Sequence, residues 1–385
     1  MIPVFADRKN THSLKYDGME HLFGASDLEP YWVADMDFEA PVAVLESLKA
    51  RLKHSVYGYP VVDDGFFEAV SYWFSKRFGI TVCDDKIVPM TGVAASMFTS
   101  ILAFSGVGDG VVIQPPVYGP FYGVVRSSGR DLIENPLLKC ESGYEIDFDG
   151  LERIFADKKP KILLFCSPHN PVGRVWSTKE IKTVVGLCEK YGVFLVSDEI
   201  HFDIVFAGNS HTSVLKFADM YDNIVLLSAP TKTFNIPGLN VSYAIIPSKN
   251  NKKKFEYYAK NLHQTLPNTF GIEALKAAYM YGGEWIDGCV SYLNQNRTAV
   301  KNFVEKNSFI DGFTPEGTYL YWLDFSAVSS SQAQISETLK KSGIALSGGD
   351  FFFGGRESTF FRLNFATTHE RVGEALDKIE RAFCF

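Results

Sequence analysis

Between Pro89 and Pro247 five short runs are apolar at nearly every position: Val111–Gln114, Lys161–Cys166, Val193–Ser197, Ile224–Ser228 and Ser242–Ile246. A strand with one wet face alternates apolar and polar residues, whereas a strand covered on both faces does not. Helical spacing is read between the runs, at Gly92–Phe104, Pro120–Ser127 and Lys179–Tyr191. Alternating β and α segments predict an α/β chain with a parallel sheet and helices on both of its faces.

The flanking regions read differently. The stretch to about Phe38 is expected to be irregular. Glu39–Lys53, with Pro41 early where proline is tolerated, and Asp64–Phe78 have amphipathic helical spacing. Thr269–Lys306 is helical, Thr318–Phe325 and Thr359–Ala366 are strands, and His369–Phe383 closes as a helix. A length of 385 residues suits about two domains. The expected large domain is 46–284; 1–45 and 285–385 form a smaller α+β domain. A helix is expected to run through the boundary near Trp285.

Composition removes several functions. The net charge is −7, and the short Lys252–Lys254 run reads as a solvated loop, so no nucleic-acid partner is expected. Six cysteines are scattered without a CxxC pair, which predicts reduced core thiols, no metal site and a reducing cytoplasm. The N-terminal residues are charged throughout and do not read as a signal peptide. Apolar runs such as Ile224–Ala229 are too short to span a membrane.

In parallel sheets function gathers at the carboxyl ends of strands. Here Asp198 ends one strand, Asn170 follows another in a proline-flanked turn, Lys232 follows a third and Tyr118 a fourth. Singly, each has an ordinary reading as turn, cap, core or solvated residue. Jointly they suit one site. A lysine amine condenses with an aldehyde cofactor. A carboxylate beside a pyridine nitrogen keeps it protonated, and the ring then accepts electrons from a substrate Cα. Asn170 is placed to bond the phenolic oxygen, and Tyr118 to stack on the ring. Thr91–Gly92–Val93 opens a helix whose N-terminal amides suit a phosphate, with a hydroxyl from Ser228 or Thr231. Arg362 lies in an otherwise apolar strand: either it pairs with a buried acid, or it clamps a carboxylate through its planar fork. Glycines flank three aromatics in Ser347–Gly355, which reads either as a loop covering a substrate side chain or as one packed on the core.

Ser167–Arg174 (SPHNPVGR), Ser197–His201 (SDEIH), Ala229–Leu239 (APTKTFNIPGL) and Phe360–Ala366 (FFRLNFA) resemble the pyridoxal-phosphate enzymes of the aspartate-aminotransferase fold, fold type I. Trp32–Phe38 (WVADMDF) and Val56–Pro60 (VYGYP) resemble the MalY/PatB group of cystathionine β-lyases within it. The resemblance spans essentially the whole chain. It implies a mostly parallel central sheet flanked by helices, a large domain that binds pyridoxal 5'-phosphate, and a homodimer with shared active sites. It implies that Lys232, Asp198 and Tyr118 are catalytic. It implies cofactor contacts from Gly92, Val93, Tyr118, Asn170, Asp198, His201, Thr231 and Lys232, and from Tyr59 (less so Tyr57) of a neighbouring subunit. Substrate contacts are implied at Val33, Ala34, Asn170 and Arg362. Many relatives carry a phosphate-binding arginine eight residues after the lysine; here that position is Asn240, as suits the MalY/PatB group.

The implied activity is α,β-elimination from cystathionine or related S-substituted cysteines, giving a thiol, pyruvate and ammonia. The alternative is transamination with a 2-oxo acid. Both begin with removal of the Cα proton by Lys232. They diverge at a thiolate leaving group on Cβ, so these residues alone serve either path.

Overall fold

The computed structural model describes residues 2–141 and 143–383. Its centre is a seven-stranded sheet of β1 (Ile87–Met90), β2 (Gly110–Ile113), β3 (Asp131–Glu134), β4 (Ile162–Cys166), β5 (Phe194–Asp198), β6 (Ile224–Ser228) and β7 (Ser242–Ile245). The strand order is β1-β7-β6-β5-β4-β2-β3. β7 runs antiparallel to both of its neighbours, and the other six strands are parallel to one another. The expected strand at Ser242–Ile246 therefore exists but is reversed. It follows β6 through a lysine-bearing connection that holds only the short helical segments Pro230–Thr233 and Pro237–Leu239, without the long crossover helix of the other strands.

β4, β5 and β6 are buried at every position. Successive side chains point to opposite faces. Leu163, Leu195 and Leu226 pack in one apolar cluster, while Leu164, Val196 and Leu227 pack in a second across the sheet. Helices Val93–Phe104, Pro120–Ser127, Phe148–Lys158 and Thr178–Tyr191 follow their strands as crossovers. The last starts at a capping box in which Ser177 and Glu180 satisfy each other's backbone amides.

A four-stranded antiparallel sheet follows, in spatial order Asp311–Phe313, Leu320–Asp324, Phe360–Asn364, Ser347–Gly348. It lies with helices Gly283–Lys306, Gln332–Lys341 and His369–Phe383. Thr269–Lys306 is helical in two pieces, Thr269–Tyr281 and Gly283–Lys306, separated at Gly282, and the second runs through Trp285 as expected. At Gly282 an added Cβ would sit 2.4 Å from the Phe234 ring.

Three further expectations are corrected. The stretch before Phe38 contains two short helices, Leu14–Asp17 and Met19–Phe23, each too short to show a period. Lys252–Lys254 lies on the helix Lys249–Asn261 and not in a loop, because lysine is a good helix former and solvates one face. Ser347–Gly355 begins as a short edge strand and a 3-10 turn. Among the described residues, no helix is long and apolar enough to cross a membrane.

The strand carrying Asp198 depends on these two cores. Leu195→Ala should destabilise the protein by about 3 kcal/mol through lost transfer energy and a cavity. Urea denaturation should show a lowered midpoint. An unchanged midpoint would mean the two-faced packing of β5 is not what holds it.

Candidate active site

Because β1, β2, β4, β5 and β6 are parallel, their carboxyl ends share one edge of the sheet. That edge receives Thr91–Gly92, Tyr118, Asn170, the Asp198–His201 turn and Lys232. Asp198 is the last residue of β5 and is buried. Its carboxylate accepts the Ile200 N–H at 3.1 Å, and no cationic side chain among the described residues pairs with it. Lys232 sits on the short helix Pro230–Thr233, and its Nζ donates to the Ala34 carbonyl at 2.5 Å. Asn170 and His201 are buried. The His201 ring meets Tyr319 edge-on at 5.9 Å, and its Nδ1 is buried without a partner. Tyr118 is partly buried, donates its backbone N–H to the Asn170 carbonyl and meets Phe351 edge-on at 5.8 Å. Phe351 approaches closely because its neighbour is Gly119, where a Cβ would lie 2.7 Å from the ring.

Arg362 comes from the antiparallel sheet and is buried. Nη1 donates to Asn170 Oδ1 at 3.0 Å and Nη2 to the Trp32 carbonyl at 2.7 Å. The guanidinium lies 4.8 Å above the Phe352 ring, and Nε is buried without a partner. No acidic side chain among the described residues neutralises it, so the reading as a structural ion pair fails.

Desolvation sets the charges. Burial raises the Asp198 carboxyl to about 7 against the pull of the Ile200 amide and Lys232. Burial lowers the Lys232 amine to about 8, with Asp35 and Asp198 opposing and Arg362 assisting. Burial, with Lys232 and Arg362 nearby, keeps His201 neutral well below its ordinary range. Arg362 itself is lowered to about 10, chiefly by burial. These shifts are those of groups shaped to meet a charged ligand.

The donor set fits pyridoxal phosphate. A buried carboxylate without a cation suits a protonated pyridine nitrogen, and the Asn170 amide and neutral His201 suit ring oxygen or nitrogen. The helix Val93–Phe104 starts at Gly92 with no side-chain cap, leaving amides for a phosphate. Gly92 is extended there, with φ 179°. Thr231 is buried beside Lys232, whereas the Ser228 hydroxyl lies 3.4 Å from the Glu199 carbonyl, which suits Thr231 better for an outside group. Tyr59 is 97% exposed and lines, with Thr91 and Asn240, a surface cavity of about 640 Å³. The Tyr57 ring instead packs against Phe270 and Arg51.

Val33 and Ala34 join this site through backbone whose carbonyls are already engaged. Asn364 Nδ2 donates to Val33 O at 2.5 Å, and Tyr319 shares the Ala34 carbonyl at 2.9 Å. Only their N–H groups remain for a substrate carboxylate. Asn364, Tyr319 and Asn235 were absent from the sequence expectations. Asn364 was within reach, since it lies two residues from Arg362 in a strand and so shares its face.

The profile of the family described as Aminotransferase class I and II matches residues 33–379. Cystathionine beta-lyase PatB of Bacillus subtilis (strain 168) is 38% identical over 379 residues, covering 98% of each chain. Protein MalY of Escherichia coli (strain K12) is 32% identical over 366 residues, covering 93% of this chain and 92% of that one. The crystal structure of cystalysin from Treponema denticola, which contains pyridoxal 5'-phosphate, superposes with a TM-score of 0.94 at 35% identity over 99% of both chains.

Asp198 gives the cofactor-free protein a defined pH response. From the ordinary carboxylate range up to about 7, the folded chain keeps this proton and the unfolded chain releases it. Rising pH therefore removes stability, by up to about 1.4 kcal/mol per pH unit. His169 and His201, both lowered by burial, act in the opposite direction. The clean reading is a comparison with Asp198→Asn. The variant's stability relative to wild type should grow as pH rises from about 4 to about 7. Parallel urea-midpoint curves would show that Asp198 is not held protonated.

Proposed function

The chain belongs to the aminotransferase class I and II family, and we propose that within it the protein is a pyridoxal-phosphate-dependent carbon–sulfur β-lyase. It acts on L-cystathionine or related S-substituted cysteines and releases a thiol, pyruvate and ammonia. The observation that carries this reading is the convergence of Lys232, Asp198 and an acid-free, buried Arg362 in a chain 38% identical over nearly its full length to a cystathionine beta-lyase.

When bound, pyridoxal phosphate supplies a sink for the electrons left at Cα once its hydrogen departs as a proton. This chain's residues do the rest. Arg362 takes the substrate α-carboxylate on its free edge, with the Val33 and Ala34 N–H groups alongside. Tyr118 would stack on the ring face. Asp198 would ionise beside a protonated ring nitrogen, since a cation lowers the carboxyl that burial has raised. Asn170 and His201 would hold the ring oxygen, and Gly92, Val93 and Thr231 the phosphate. The Lys232 amine would hold the cofactor aldehyde, and as a free amine it is placed to take the Cα proton. The Cβ–S bond then breaks with its electron pair on sulfur, and the Lys232 ammonium is placed to protonate the leaving thiolate. Water converts the remaining three-carbon fragment to pyruvate and ammonia.

The reading extends to assembly and organisation. Residues 46–284 act as the cofactor-binding domain, and 1–45 with 285–385 as the smaller one. The enzyme is a cytoplasmic homodimer in which exposed Tyr59 reaches the phosphate of the partner's site.

Incubation with cystathionine and no keto acid should yield pyruvate far in excess of enzyme. Turnover only when a 2-oxo acid is supplied would instead establish an aminotransferase. Lys232→Ala should lower the elimination rate by at least about 10³-fold with the fold intact. Arg362→Lys should raise KM about ten- to a hundredfold, since an ammonium cannot reproduce the bidentate fork. Near-normal kinetics in either variant would remove that residue from its role.

A further inference from the structure

Residues 32–38 form a strap that belongs to no strand of the two main sheets, yet five successive carbonyls on it are held by side chains. Arg362 holds Trp32 O, and Asn364 holds both Val33 O and Asp35 O. Lys232 and Tyr319 hold Ala34 O. Asn235 and Arg8 hold Met36 O. The strap is tied on its other side by buried charge. Arg8 grips the Asp35 carboxylate through both Nη atoms at 2.7 Å, and Lys15 meets Asp37 at 2.9 Å.

Asn235 makes the densest of these contacts. Its Oδ1 accepts the Met36 N–H at 2.9 Å, and its Nδ2 donates to Met36 O at 2.9 Å and Phe38 O at 2.7 Å. One amide thus imitates a strand neighbour for the strap. Asn235 lies three residues after Lys232, at φ 55°, a left-handed conformation that asparagine tolerates better than most residues. The turn that carries the amine therefore also grips the segment carrying the carbonyl on which that amine rests.

We propose that Asn235 is a positioning residue that fixes the Ala34 carbonyl against Lys232 Nζ, so that the amine, whenever it is not covalently engaged, is held over the substrate's Cα hydrogen. This rests on Lys232 being the base, and it holds for elimination and transamination alike. The groups around that amine are Asp35 on the strap, Asp198 at the end of β5, His201 after it, Arg362 on the antiparallel sheet and Tyr319 before Leu320–Asp324. Asn235 changes none of these charges; it acts only through the position of the carbonyl.

Asn235→Gly removes the side chain and keeps the left-handed backbone free of strain. Asn235→Asp keeps the acceptor for Met36 N–H but turns a carboxylate onto the Met36 and Phe38 carbonyls. Two measurements are made on each. In cofactor-free protein, the pH dependence of Lys232 acylation by acetic anhydride is followed by peptide mass spectrometry. Its midpoint should fall in Asn235→Gly, because the ammonium loses its carbonyl acceptor; in Asn235→Asp the added carboxylate opposes that fall, so that variant is read by exchange alone. In the holoenzyme, exchange of the L-alanine Cα hydrogen in D₂O should slow by about ten- to a hundredfold, the scale of misplacing a reacting group by an ångström. KM should change far less than kcat. L-alanine has no leaving group, so wild-type exchange without pyruvate from cystathionine would overturn the lyase reading and leave this one standing. A wild-type midpoint in Asn235→Gly, or a wild-type exchange rate in either variant, would overturn the role of Asn235.

Discussion

A guanidinium buried without a carboxylate is the constraint around which this site is organised. Burying an unpaired charge costs several kcal/mol even after relaxation. Arg362 meets that cost with neutral acceptors, Asn170 Oδ1 and the Trp32 carbonyl, and with the face of Phe352. Those contacts satisfy part of the fork and leave the positive charge unspent. An α-carboxylate would complete it. Asp198 poses the mirror-image problem, a carboxyl held near neutrality by burial until a cation arrives. Both unmatched groups act on the Lys232 amine, Arg362 lowering and Asp198 raising its affinity for a proton. A protonated pyridine ring and an amino-acid carboxylate would supply the two missing charges.

The fold makes this arrangement affordable. Parallel strands deliver side chains from five loops to one edge, and two apolar clusters hold those strands from either face. Arg362 comes from a different sheet and meets the edge directly at Asn170, and the strap at 32–38 also bridges the two. The strap's carbonyls are shared between the lysine turn and the arginine strand. Lys232 and Arg362 are therefore set by a common backbone segment, and their separation does not depend on either loop alone.

Much of this was legible in the residues. Strands buried on both faces announce themselves as unbroken apolar runs, and β4, β5 and β6 fall where those runs lie. Asp198, Asn170 and Lys232 could be placed at strand ends because strand ends follow from the runs. The reversed β7 was not legible, since direction depends on how the preceding turn connects and not on apolar pattern. The helices at Leu14–Asp17 and Met19–Phe23 escaped because one turn shows no period. The strap escaped for a deeper reason: much of its order comes from side chains far along the chain, 199 residues away for Asn235 and 331 for Asn364. Nothing local in WVADMDF encodes those partners, although the alternation of Arg362 and Asn364 on one strand face did offer a hint.

The central claim is that the amine of Lys232 carries the cofactor. Reducing the purified holoenzyme with borohydride fixes that linkage, and peptide mass spectrometry then locates it. The account predicts a pyridoxyl adduct on Lys232 in the peptide spanning Thr231–Thr233. An adduct on another lysine, or none on a fully yellow protein, would contradict it.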